Sequence, residues 1–224
     1  MAIKLLISGF ENSGKTTLIS GLQDALIINC DKKKFSGKVA HANYEEWMGI
    51  DHFSKFVNTK ISNYKTKFNK LPTFVVFDTI TQLYTDMTRY NNKYFKGYEI
   101  HSQNNRDTLN INAYIENTLL AETDKKPGIN VIILAHVTVD KEGRYTIPAQ
   151  GQFRDSGGWL SVVNEAIFIE RTKEKHIIHL KSDMYPARTL LEVSEATIPM
   201  KDFNLQEHCN KLIEFNEEYN DFEL

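Results

Sequence analysis

Gly9-Phe10-Glu11-Asn12-Ser13-Gly14-Lys15-Thr16 fits the pattern G-x-x-x-x-G-K-[ST] at every position. Few short strings limit a fold so narrowly, because this one works only between a buried strand and a helix. Both flanks meet the requirement: Ile3–Ser8 reads as a core strand and Lys15 to about Gln23 as a helix. Gly9 and Gly14 let the backbone close around phosphates, with the amides from Asn12 to Thr17 turned inward at the positive end of the helix. Lys15 then reaches β- and γ-phosphates, and the Thr16 hydroxyl is a ligand for Mg²⁺. The expectation is an ATP–Mg²⁺ site built from Gly9, Asn12, Ser13, Gly14, Lys15, Thr16 and Thr17. A tight glycine turn before a helix is the plainer alternative.

The order of elements supports that setting. Short, nearly unbroken apolar runs at Ile3–Ser8, Ala25–Asn29, Thr73–Phe77, Asn130–Ala135 and Glu165–Glu170 have the character of parallel strands buried on both faces. Phe53, Phe56, Val57, Ile61, Tyr64 and Phe68 recur at steps of three and four, as do Ile80, Leu83, Tyr84 and Met87, so each set shares one helix face. Alternating strands and helices predict an α/β fold, a mostly parallel twisted sheet flanked by helices. Lys175–Lys181 and Thr189–Val193, joined by Ser182-Asp183-Met184-Tyr185-Pro186, read as an antiparallel C-terminal edge. A last helix is expected from Asp202 to about Tyr219. No repeat or linker divides the chain, so residues 1–200 are read as one core, with 201–224 as a peripheral helix and acidic tail.

Three polar residues end core strands. Asp78 closes Phe74-Val75-Val76-Phe77-Asp78, where an acid beside the phosphate loop can hold Mg²⁺ through water; a helix N-cap is the alternative. Asp31 follows Ile27-Ile28-Asn29-Cys30, where a carboxylate can orient or deprotonate an attacking water, or simply open the Lys32-Lys33-Lys34 turn. His136 closes Val131-Ile132-Ile133-Leu134-Ala135-His136, facing the γ-phosphate region or serving as a structural histidine. Lys15, Asp31 and His136 are therefore the candidate catalytic residues.

Composition excludes several classes. At 224 residues, 41% hydrophobic and 25% charged, the chain has an ordinary globular make-up and room for one sizeable core. No apolar run approaches the ~20 residues that span a bilayer, and no signal-peptide pattern is present. Cys30 and Cys209 lie far apart, which suggests neither a disulfide framework nor a zinc site. These features predict a cytoplasmic protein without a membrane partner. The net charge of −2 points to no nucleic acid, so any such contact must come from local patches. Glu214 to Leu224 carries five acids and no base, either as a solvated end or as a tail that competes with DNA or docks on a partner.

With the strand order in place, other segments carry a resemblance. The polar end of the fourth core strand, the irregular stretch from Thr138 to Ser156, Gly157-Gly158-Trp159-Leu160 and Ala166-Ile167-Phe168-Ile169-Glu170 are similar to the RecA/recombinase branch of P-loop ATPases. More narrowly, Asn29-Cys30-Asp31-Lys32-Lys33-Lys34-Phe35 and Ala135-His136-Val137 resemble the short RecA-like proteins of bacteriophages that act as single-strand annealing proteins. The resemblance covers most of residues 1–193. It implies an ATPase of DNA recombination that binds single-stranded DNA, forms a homo-oligomer and works with a single-strand-binding protein in the cytoplasm of a bacterial host. Asp31 would stand where recombinases usually carry a glutamate, and His136 where they carry a glutamine that couples nucleotide to DNA. Both departures bear on hydrolysis more than on binding. Met1 leads straight into the first strand, without the oligomerisation segment of full recombinases, so filament formation and strand exchange are not implied.

Two segments are candidate DNA contacts. Arg89-Tyr90-Asn91-Asn92-Lys93-Tyr94-Phe95-Lys96-Gly97-Tyr98 interleaves cations (Arg89, Lys93, Lys96) with aromatics, suited to phosphates and unpaired bases, or is an exposed helix end. Lys141, Arg144, Phe153 and Arg154 lie in the long loop after the fourth core strand, which is alternatively a surface hairpin turning at Glu142-Gly143. Lys181 and Arg188, placed on the last two strands, are candidates for a finger reaching a neighbour's γ-phosphate, or ordinary edge charges. A small-molecule kinase is a rival reading, though no arginine-rich lid is evident; an ATP-switched protein scaffold with negligible turnover is another.

Overall fold

A computed structural model describes residues 2–35, 37–121 and 128–220. The chain runs β1 (Lys4–Gly9), α1 (Lys15–Ile19), β2 (Ala25–Asn29), β3 (Ala40–Asn43), α2 (Ile50–Phe68), β4 (Phe74–Asp78), α3 (Ile80–Tyr94) and α4 (Tyr98–Tyr114), which a π-helical turn, Ile115–Leu120, extends. β5 (Asn130–His136), β6 (Thr138–Val139), β7 (Tyr145–Thr146), α5 (Gly151–Asp155), α6 (Trp159–Val162), β8 (Glu165–Arg171), β9 (His176–His179), β10 (Thr197–Pro199) and α7 (Leu205–Asn220) complete it.

The main sheet has eight strands in the order β10-β9-β8-β1-β5-β4-β2-β3. From β3 to β8 neighbours pair in parallel, and β9 and β10 add the antiparallel edge. All five residues of β4 are buried, because a central parallel strand is covered on both faces. Its alternation splits the core in two. Val75 and Phe77 face α2, α3 and α4 with Phe53, Val57 and Ile111. Phe74 and Val76 face the other layer, with Leu18 of α1 and Leu205, Cys209 and Leu212 of α7. The C-terminal helix is thus part of the core rather than peripheral. Of the acidic tail, Asp221–Leu224 lie outside the described residues.

The register brings the strand ends together. Gly9 lies opposite His136 on one side and Ile169 on the other, and Asn29 lies opposite Asp78. The loop after β1 and the residues after β2, β4 and β5 therefore meet at one sheet edge, where the open crevice of a parallel α/β fold lies.

Several expectations need correction. Helix α1 stops at Ile19, and Leu22 turns back on the Ile19 carbonyl. The outer antiparallel neighbour of β9 is Thr197–Pro199, not Thr189–Val193. Arg188 instead exchanges two backbone hydrogen bonds with Ala166 beside β8, and Leu191 and Val193 pack half-buried on the second core. For the basic-aromatic segment Arg89–Tyr98 the helix-end alternative holds: it is the end of α3, a short turn and the start of α4. This helical hairpin is joined by polar side chains. The buried amide of Asn91 donates to Asn104 Oδ1 and Asp107 Oδ2, both at 2.9 Å, and Tyr84 Oη donates to Asn112 Oδ1 at 2.9 Å.

Candidate functional site

Between β1 and α1 the chain turns through Asn12 (φ 57°) and Gly14 (φ 95°). Gly9 has no space for a side chain: a Cβ would lie 2.7 Å from the Ile169 carbonyl oxygen and 2.6 Å from Ser13 Oγ. The loop therefore passes tightly over the end of β8, and the first amides of α1, unpaired as at any helix start, open onto it. Lys15 folds back beneath the loop. Its Nζ donates to the carbonyls of Gly9 and Phe10, each at 2.8 Å, and to Ser13 Oγ at 3.4 Å. The residue is 5% exposed and has no ion pair among the described residues. Burial pushes its amine down to about 8, with Asp78 and then Asp31 acting in the opposite direction.

Asp78 is likewise buried, and Thr16 Oγ1 donates to its Oδ2 at 3.0 Å. Desolvation raises its carboxyl to about 6 despite that hydrogen bond. A cation beside Thr16 and Asp78 would offset this cost, so the pair suits Mg²⁺. No group of three or more His, Cys, Asp or Glu side chains among the described residues could hold a metal by itself. A magnesium ion here would take one hydroxyl from the protein, with Asp78 behind it, and most ligands from phosphate oxygens and water, as this ion commonly does.

The Asp78 carbonyl accepts from the amides of both Cys30 and Asp31, which fastens the end of β2 to the end of β4. Asp31 is in the cluster but engaged: Lys33 Nζ lies 3.0 Å from its Oδ2. His136 is half-buried. Its amide donates to Thr81 Oγ1 at 3.2 Å, and its Nδ1 is buried without a partner among the described residues. Burial first, and the Lys15 charge second, lower its pKa, which favours a neutral ring. Two residues that sequence reasoning passed over also belong to this edge. Thr81 links β5 to α3, and Asp86 holds Lys32 at 2.9 Å. Neither carries a motif signal; each is found only through a contact across the sheet edge.

The remaining candidates divide. Lys93, Lys96 and Arg89 stand at the tip of the α3–α4 hairpin with Tyr94 and Tyr98, which are 58% and 85% exposed. Arg89 lies 3.6 Å from Asp86, and Lys93 sits over the Tyr94 ring. The stretch after His136 is the surface hairpin β6–β7 followed by α5. Lys141 is exposed there, but Arg144 is paired with Asp140 and Glu142, and Arg154 with Asp155. Phe153 is not a free stacking platform: it is buried edge-on against Trp159. Neither proposed finger residue lies on a strand. Lys181 is exposed just past β9, and the Arg188 guanidinium donates to the carbonyls of Leu160 and Val163.

No family model matches the chain, and no curated protein matches it. Among the described residues no helix is long and apolar enough to cross a membrane.

Proposed function

We propose that this chain is an ATP–Mg²⁺-dependent ATPase of RecA-like P-loop type that binds and anneals single-stranded DNA. The observation that carries the nucleotide reading is Lys15, a buried ammonium with no ion pair among the described residues, enclosed by a glycine loop next to the Thr16–Asp78 pair. Phosphate oxygens would supply the missing charge at the mouth of the loop.

Within this reading, Lys15 neutralises the β- and γ-phosphates, Thr16 ligates the magnesium, and Asp78 orders its water shell. A magnesium ion held by Thr16 and Asp78 would supply positive charge against the phosphates during γ-phosphoryl transfer. Asp31 orients the water that attacks the γ-phosphate and takes its proton, giving ADP and phosphate; for this it must part from Lys33. His136 stands where the phosphate end meets the β6–β7 hairpin and reports occupancy to it. For DNA, support comes from the exposed cations and tyrosines at the α3–α4 tip, which can pair with phosphates and stack bases without reading sequence. The Asp31–Lys33 pair also favours a second reading, an ATP-switched protein with very slow turnover.

The test is fluorescence anisotropy of a labelled single-stranded oligonucleotide with and without ATP–Mg²⁺, with duplex DNA and Lys15→Ala as controls. Nucleotide-dependent binding that prefers the single strand and weakens in Lys15→Ala is expected. No binding at low salt in any nucleotide state overturns the DNA part, while ATP binding measured alongside decides the nucleotide part separately. Turnover measured with Asp31→Ala separates hydrolase from switch.

A further inference from the structure

A phosphate loop engages one half of a nucleotide, and the surroundings of α1 decide where the other half goes. On one flank lie Lys15, Asp78, Asp31 and His136, a partly buried charged cluster in which an uncharged nucleoside would strand polar groups without partners. On the other flank the β9 and β10 ends come up against the loop. A Cβ added to Gly14 would lie 3.0 Å from His176 Nδ1 and 3.0 Å from Met200 Sδ. Beside Met200 a cavity of about 450 Å³ runs along α1. Thr17, Ser20 and Gly21 form one wall, and Met200, Lys201 and Phe203 contribute to the other.

The walls are held in place. The Gln23 amide donates to Gln206 Oε1 at 2.9 Å, tying the end of the α1 segment to the first turn of α7. The Phe203 amide donates to the Met200 carbonyl, and the Phe203 ring lies 5.4 Å from that of His208. A thioether and an aromatic ring beside a hydroxyl and an ammonium match the two characters of a nucleoside, an apolar base face and a polar sugar. The volume falls within the range of about 300–1,000 Å³ usual for small-ligand sites.

We propose that this cavity is the nucleoside subsite. The ribose lies by Thr17 and Lys201, and a purine packs on Met200 and Phe203. This rests on the nucleotide reading above and adds that the β10–α7 junction, outside the phosphate motif, supplies the bed. It follows that a bound nucleotide braces the start of α7, while inorganic polyphosphate does not.

Calorimetric binding of Mg–ATP and of Mg–tripolyphosphate to the same protein tests this. Gly21→Phe adds a ring at a residue that lines the cavity; a Cβ there meets nothing closer than the Leu18 carbonyl oxygen at 3.8 Å, so the side chain starts without a clash. ATP affinity should fall by about tenfold or more, the equivalent of one lost aromatic contact, with tripolyphosphate affinity unchanged. Met200→Ala should shift the same ratio in the same direction, and decides the matter if Gly21→Phe loses both ligands. Unaltered ATP affinity in the cavity variants, with both ligands bound by the parent, overturns the subsite and leaves the phosphate reading standing. If the parent binds neither ligand, both proposals fall.

Discussion

Replacing Asp78 by Asn should stabilise the ligand-free protein while weakening its hold on Mg–ATP. The carboxyl is 3% exposed, and desolvation lifts it from 3.8 to about 6. At 1.36 kcal/mol per tenfold, keeping it ionised at neutral pH costs about 3 kcal/mol. The amide of Asn must be desolvated too, and Lys15 loses an attractive neighbour, so the net gain is smaller, about 1–3 kcal/mol. Cys30 and Asp31 bond to the Asp78 backbone carbonyl and are untouched by the change. For a domain of this size the gain amounts to a rise in Tm of roughly 2–10 °C.

The sign follows from the raised value. The folded state holds its proton between about pH 4 and pH 6 where the unfolded chain releases it, so the parent loses stability as pH rises through that window. The advantage of Asp78→Asn should therefore be full at pH 7, shrink below pH 6 and vanish near pH 4. Thermal melts at these pH values, without nucleotide, measure it. Magnesium-dependent ATP binding should fall by about 10- to 100-fold, as for loss of an outer-sphere partner. An unchanged or lowered Tm at pH 7, or a gain that persists at pH 4, would refute the idea that this buried carboxylate is a cost carried for a cation.

Binding of Mg–ATP should be strongest between the Asp78 and Lys15 values of about 6 and about 8; titration below pH 6 should weaken it as the carboxyl gains a proton. Above pH 8 calorimetry in buffers of different ionisation heat should show proton uptake on binding, because phosphate restores the charge on Lys15. Phe153→Ala should lower stability by about 3–5 kcal/mol in chemical denaturation and leave the single-strand affinity of the folded protein unchanged, since this ring packs on Trp159. Lys96→Ala should reduce single-strand affinity and lower the slope of log K against log salt by about 1; the same change at Arg144, already paired with Asp140 and Glu142, should have much less effect.

What the sequence made legible and what it concealed differ in range. Gly9, Gly14, Lys15 and Thr16 are constrained by the backbone around them, so their spacing survives in the chain as a local signal. Asp78 could be placed at the sheet edge because it ends an all-apolar run, although the run alone did not separate a magnesium-side acid from a helix N-cap. The buried parallel strands stood out because both of their faces are apolar. By contrast β3 alternates half-buried and exposed residues, and α4 meets α3 through Asn104, Asp107 and Asn112, so neither has an apolar signature. An aromatic in a basic loop looks the same whether it awaits a base or faces the core. Only packing separates Tyr98, 85% exposed, from Phe153 on Trp159. Arg144 and Arg188 show the same ambiguity for charge, since their partners lie in turns and carbonyls that motif reading does not weigh. The placement of Met200 beside Gly14 needs the β9–β10 pairing, a contact nearly the length of the chain away. Sites built from one segment can therefore be read early, while those assembled by the sheet edge require the register. The two halves proposed for the nucleotide site fall on opposite sides of that line: the phosphate half is written in consecutive residues, and the nucleoside half exists only where α1 and the β10–α7 junction meet.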